Sequence, residues 1–219
     1  MVKKKEPDGE IVEADDIWDL TDEEMASITF SGEPSCRLGY RYLLASILYS
    51  VANTQLVDDP YDIPGFGGDY RILAEMAFII GVYEDDKNTI EIMKTETEGV
   101  AKLPKRGLKG EVKELWDLHH SLKGKIDYMG LLDALKLKHL LIGDRLFAGT
   151  SGNLNDVLEV FASTVCEKAL QQGIPLIASP RESFIMPAKD KSTIHELMKA
   201  YYKENFLFDV EVDELIPGK

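Results

Sequence analysis

Hydrophobic residues return at three- and four-residue intervals in successive windows of this chain, and glycine- and proline-rich breaks separate the windows. Such spacing places one apolar stripe on each of several helices, and stripes of that kind have to be buried against one another. The first window is 36–56, with Leu38, Tyr42, Leu43, Ile47, Leu48 and Val51. Pro60 and the run Pro64-Gly65-Phe66-Gly67-Gly68 end it, as a structural reversal that uses positive φ. A second helix is expected over 69–80, carrying Ile72, Leu73, Met76, Ile79 and Ile80, with Gly81 as its C-cap. Residues 84–110 are polar and are expected to form a connector, with a short strand at 89–93. Within it, 102–110 holds Pro104, Gly107 and Gly110 and has the composition of a hinge.

Beyond the hinge the helical spacing resumes. Val112, Leu115, Trp116 and Leu118 predict a helix to about Leu122, and a longer one is expected from Tyr128 to Phe147. The turn Ala148-Gly149-Thr150-Ser151-Gly152-Asn153 follows. In it Gly149 or Gly152 supplies the reversal, Thr150 or Ser151 bonds exposed amides, and Asn153 caps a helix bearing Leu154, Val157, Leu158, Phe161 and Val165. Gly173 closes that helix. Residues 174–178 and 183–186, flanking Ser179-Pro180-Arg181-Glu182, predict a short β-hairpin. Thr193-Ile194-His195-Glu196 has the form of a capping box for a last helix to about Asn205, and 206–212 alternates like an edge strand. The expected fold class is α+β: mainly helical, with a small antiparallel β-hairpin and extended termini. The expected divisions are an arm at 1–35, a helical subdomain at 36–101, a linker at 102–110, a helical-hairpin and β-hairpin subdomain at 111–205, and a tail at 206–219.

Charge is distributed unevenly. The formal net charge is −14. Residues 1–35 hold three lysines against eleven acids, too acidic and too poor in apolar residues to make a core of their own. Yet Ile11, Ile17, Trp18 and Leu20 sit among those acids, and Thr21-Asp22-Glu23-Glu24 forms a second capping box. Two readings stay open for this arm: a solvated tail with a short helix on its own domain, or a segment that docks on a partner. Residues 102–145 lean basic, with ten lysines and arginines against six acids. Phosphate attraction needs clustered basic residues, so the acidic total argues against nucleic acid as a partner and, for the same reason, against anionic membranes. No apolar run approaches the ~18 residues of a membrane span, and the lysines after Met1 are not followed by the apolar core of a secretory signal.

Chemistry is sparse in the sequence. Cys36 and Cys166 are too few for a disulfide framework or an all-cysteine zinc site and suit a reducing cytoplasm. His119 and His120 are adjacent and point about 100° apart on a helix, and neither they nor His139 and His195 make a His-x-x-x-His pair with a third ligand. The glycine run at 65–68 lacks the Lys-Ser or Lys-Thr of a phosphate-binding loop. No serine lies in a Gly-x-Ser-x-Gly elbow, and Glu84-Asp85-Asp86 lacks calcium-loop spacing. No catalytic residue, metal ligand or cofactor site is therefore expected.

Two stretches carry a resemblance as a pair. The first is Asp69–Val82, ending in Ile79-Ile80-Gly81-Val82. The second is Leu131–Leu158, with basic residues at Lys136, Lys138 and Arg145, then Gly149-Thr150, then a helix opening near Asn153 with Leu154 and Leu158. In order and type these resemble baseplate wedge proteins of contractile-tailed bacteriophages. The resemblance implies a structural virion component and no enzymatic reaction. Such a subunit would be assembled in the host cytoplasm and present in multiple copies in a symmetric tail baseplate. Its partners would be other baseplate and tail proteins, a fibre-bearing protein among the candidates. On that reading the interface candidates are the large hydrophobes Trp18, Leu20, Phe66, Trp116, Phe206 and Phe208, because aromatics dominate interface energetics. The helices' apolar faces make either the monomer's own core or a core shared between subunits. Two other classes compete: an acidic phage regulator that inhibits a host DNA-binding enzyme, and a small enzyme whose site leaves no sequence signature.

Overall fold

The computed structural model describes residue 24 and residues 27–149, 154–179 and 183–215. It is a mainly helical α+β structure with a small, curled antiparallel sheet, the class expected. The chain divides into two compact units, residues 1–43 with 154–219, and residues 44–153. The expected divisions were sequential. The observed one is not, because strands from both ends of the chain share one sheet.

In the first unit, β1 (Thr29–Phe30) turns through Ser31 and Gly32, both at positive φ, into β2 (Glu33–Tyr40). Two such residues match the right-handed twist of a tight hairpin. The expected helical stripe therefore begins too early: Cys36, Leu38 and Tyr40 alternate on a strand, and Tyr42 at φ 57° separates it from α1 (Leu43–Val51). β2 is central. It pairs with β4 (Ser183–Pro187) from Ser35↔Pro187 to Gly39↔Ser183, and with β5 (Val212–Glu214) at Leu38↔Glu214 to Tyr40↔Val212. β3 (Ile177–Ser179) completes the expected hairpin by pairing antiparallel with β4.

Helices α6 (Leu154–Gln171) and α7 (Lys191–Phe206) supply the core of this unit. Tyr40 meets Phe161 edge-on at 5.3 Å and Phe184 at 6.3 Å, and its hydroxyl donates to the Met198 carbonyl at 2.9 Å. A buried tyrosine needs such a partner, since an unsatisfied hydroxyl costs about 1–3 kcal/mol. The Thr193–Glu196 box lies inside α7, whose N-cap is Asp190. The C-terminal strand also sits later than expected. Leu207 takes φ 66° to end α7, so pairing starts only at Val212, and the expected tail is part of the sheet. Arg41 forks onto Asp213 at 2.6 and 2.7 Å and also meets Glu211.

The second unit is helical. It contains α2 (Arg71–Tyr83), α3 (Asp86–Ala101), α4 (Gly110–Ser121) and α5 (Tyr128–Lys138), with a 3-10 turn at Leu140–Ile142. Residues 86–101 of the expected connector, with the strand expected at 89–93, form a sixteen-residue helix instead. Its buried residues are Thr89, Met93 and Thr97, a stripe at i, i+4 and i+8 too narrow and too polar to stand out in the sequence. Asp85 starts it by accepting from the Asn88 amide at 2.8 Å. Asp85→Ala is expected to lower the stability of this unit by about 1 kcal/mol, read as a shift in urea midpoint.

The expected hinge at 102–110 is tied to α4. The Trp116 indole donates to the Leu103 carbonyl at 3.1 Å, and Lys105 lies 2.9 Å from Asp117 and 4.7 Å from the centre of the Trp116 ring. Helix α5 stops nine residues before its expected end, where His139 leaves helical geometry with ψ 33°.

Candidate functional site

Nucleophilic chemistry finds little support in the titratable groups. Burial, followed by the nearby Glu214 carboxylate, pushes the Cys36 thiol above its ordinary value. Burial does the same for Cys166, against a backbone hydrogen bond from Ala178. Activation of a thiol needs the opposite shift. Both cysteines are free, and no group of three or more metal-ligating side chains converges among the described residues. No helix among the described residues is long and apolar enough to cross a membrane.

His139 is fully buried in the second unit. The Tyr49 hydroxyl lies 2.9 Å from its Nδ1, and its Nε2 lies 2.9 Å from the Pro60 carbonyl. A carbonyl only accepts, so Nε2 carries the proton and Nδ1 accepts from Tyr49. Burial holds the ring's pKa down at about 4, the Pro60 bond opposing and Lys138 adding to the shift. This neutral imidazole is tied to the Pro60 carbonyl, and Phe78 packs against it at 5.0 Å.

The expected interface aromatics separate into different environments. Trp116 is stacked on His120 at 3.6 Å with the rings 17° apart, and Lys113 and Lys105 share Asp117, holding its carboxyl below the usual range. Phe206 belongs to the first unit's aromatic cluster, 4.8 Å from Tyr202 and 5.9 Å from Phe161. Phe208 is half-buried in the same unit. Phe66 is half-buried in the second unit, edge-on to Tyr70 at 5.0 Å. Trp18, Leu20, Thr150 and Asn153 lie outside the described residues. Gly149 does take the positive φ expected of the turn, at 62°.

One group of exposed apolar residues falls where a single long helix is expected from the sequence. Leu137, Leu140 and Leu141 are 70%, 71% and 66% exposed, while Leu131, Leu132, Leu135 and Ile142 of the same segment are buried. Helix α5 buries one side through Tyr128, Leu131, Leu132 and Leu135, which leaves Leu137 and Met129 outside. The end of α5 and the following 3-10 turn thus place three leucines within five residues in water. Their exposed surface is on the order of a few hundred Å2, within the range where the largest patch on a monomer is often functional. The available sequence signal was an excess: 131–142 carries more apolar residues than one helix face can bury.

The same unit has a cleft of about 190 Å3 along residues 59–71, where Arg71 contacts Asp59 at 3.0 Å and its guanidinium lies 5.4 Å from the Tyr61 ring centre. Small-molecule sites run to roughly 300–1,000 Å3, so this cleft is below enzyme-pocket size. No protein-family model matches the chain, and no curated protein matches it significantly.

Proposed function

We propose that this chain is a structural subunit of a bacteriophage tail baseplate wedge, working by packing against other wedge and tail proteins. The observation that carries the packing role is the exposed leucine face at 137–141. Leucines at this exposure are costly in water and become favourable when a neighbour covers them, at about 1.5–2 kcal/mol each. The order of the Asp69–Val82 and Leu131–Leu158 motifs supports the baseplate assignment. The reading assigns no reaction and no cofactor to the chain, and places it in the virion after assembly in the host cytoplasm.

Native mass spectrometry of the purified chain, alone and mixed with the products of its neighbouring genes, tests this. The expected result is a complex of fixed stoichiometry with at least one neighbour. The double variant Leu137→Glu, Leu141→Glu should retain the fold, since both side chains are solvent-facing, and should weaken that complex about a hundredfold. A chain that stays alone with every neighbour, or a complex indifferent to the double substitution, would overturn the reading.

A further inference from the structure

The structure assigns to His139 the role of an acid-sensitive latch that sets the leucine face at 137–141, a form of regulation that rests on the packing role proposed above. His139 stands at the junction between α5 and the 3-10 turn, with Leu137 before it and Leu140 and Leu141 after it. Those three leucines are exposed, whereas the imidazole between them is fully buried. The ring meets Phe78 of α2 edge-on at 5.0 Å and Tyr49 of α1 at 5.9 Å. Its two nitrogens lie 2.9 Å from the Tyr49 hydroxyl and the Pro60 carbonyl. The junction that carries the leucines is thus pinned by one titratable side chain.

Both polar contacts suit the neutral ring. Nε2 donates to Pro60 and Nδ1 accepts from Tyr49, so a proton on Nδ1 turns that acceptor into a donor and breaks the Tyr49 bond as it stands. Among the described residues no carboxylate is hydrogen-bonded to the ring to offset a positive charge. On the segment around Pro60, the Asp59 carboxylate is engaged by the Tyr61 amide and Arg71, Asp58 bears on Tyr49, and Asp62 is exposed. On α2, Phe78 is uncharged and Arg71 and Glu75 pair with each other. Lys138, next in the chain, opposes a second cation beside it. A protonated imidazole is therefore favoured in water over this site. Because His139 is the junction itself, the ring's exit moves the turn and its leucines. Acid then alters the leucine face while the rest of the unit is still folded.

The test is NMR of the full-length 15N-labelled chain from pH 7.5 to pH 4.5. At pH 7.5 the His139 ring is expected to carry its proton on Nε2. On acidification the backbone amides of residues 58–62 and 137–142 should change together and reversibly, while those of residues 89–97 in α3 keep their positions. His139→Gln, which can keep both hydrogen bonds without titrating, should cut the change at 137–142 about fivefold, its spectrum showing that the variant folds. Tyr49→Phe leaves Nδ1 without its donor and should move the midpoint to higher pH by about half a unit. No change by pH 4.5, protonation of His139 with the leucine amides unmoved, an equal change in the glutamine variant, or loss of 89–97 in the same step would overturn the latch. A complex with neighbours whose leucine face ignores acid removes only the latch. A leucine face that responds to acid in a chain that joins no neighbour removes the packing role and leaves the latch standing.

Discussion

Gly81→Ala is expected to destabilise the helical unit by about 3 kcal/mol, the upper end of what overpacking costs. Gly81 lies inside α2, not at its end, and its role is set by a residue far along the chain. A methyl group there would lie 2.1 Å from Cε1 and 2.4 Å from Cδ1 of Phe147. The ring has little freedom to retreat. Phe147 is buried, its backbone amide donates to the Gly81 carbonyl, and the Lys136 ammonium lies 5.4 Å from the ring centre. The added carbon must therefore displace the backbone of one partner or force Phe147 off its rotamer. Urea denaturation followed by tryptophan fluorescence reads the loss, Trp116 being in the affected unit. Phe147→Leu removes the clashing edge at its own cost, so the double variant should be less destabilised than the sum of the two singles. Simple additivity would show that the ring and the glycine are not in contact.

Gly81 also shows where the sequence stops being legible. A glycine at the end of an apolar stripe has the pattern of a C-cap, and nothing local distinguishes that from a glycine required by close approach. What was legible follows local periodicity. The helices now seen at 71–83, 110–121, 154–171 and 191–206 each carry a broad apolar stripe, and the hairpin of β3 and β4 is bracketed by turn residues. What was illegible depends on distant partners. β2 alternates over a few residues only, and its strand character comes from pairing with Ser183–Pro187 and Val212–Glu214. Helix α3 buries two threonines and a methionine, so its stripe looks polar until α2 and α4 are seen against it.

The candidate surface was hidden for a related reason. Leu137, Leu140 and Leu141 are the same residue type as the buried Leu131, Leu132 and Leu135; Leu137 lies off the buried side of α5, and Leu140 and Leu141 follow the break at His139. Aromatic residues dominate interfaces in general. Here Trp116 is engaged in holding the 102–110 segment to α4, and Phe206 in closing a core. Of the six interface candidates, Phe66 lines the cleft at residues 59–71.

Acidification should unfold the helical unit through His139, earlier than exposed ion pairs alone would. The ordinary imidazole pKa is 6.5, and in the folded protein it is held at about 4. Between those values the unfolded chain takes up a proton that the folded chain refuses. The stability contributed by the neutral, buried ring is thus complete above pH 6.5 and is lost as pH falls toward 4. The loss runs at up to about 1.4 kcal/mol per pH unit and sums to about 3 kcal/mol. His139→Gln isolates it. A glutamine amide can donate to the Pro60 carbonyl and accept from the Tyr49 hydroxyl, as the imidazole does, but does not titrate in this range. Carboxylates such as Asp117, which also lose their partners in acid, contribute equally to both proteins and cancel in the difference. Urea midpoints measured from pH 7 to pH 4 should therefore fall more steeply for the natural chain than for the glutamine variant, with the gap opening below pH 6.5. Parallel curves would show that His139 is protonated as readily in the folded chain as in the unfolded one, and that the burial seen here does not hold in solution.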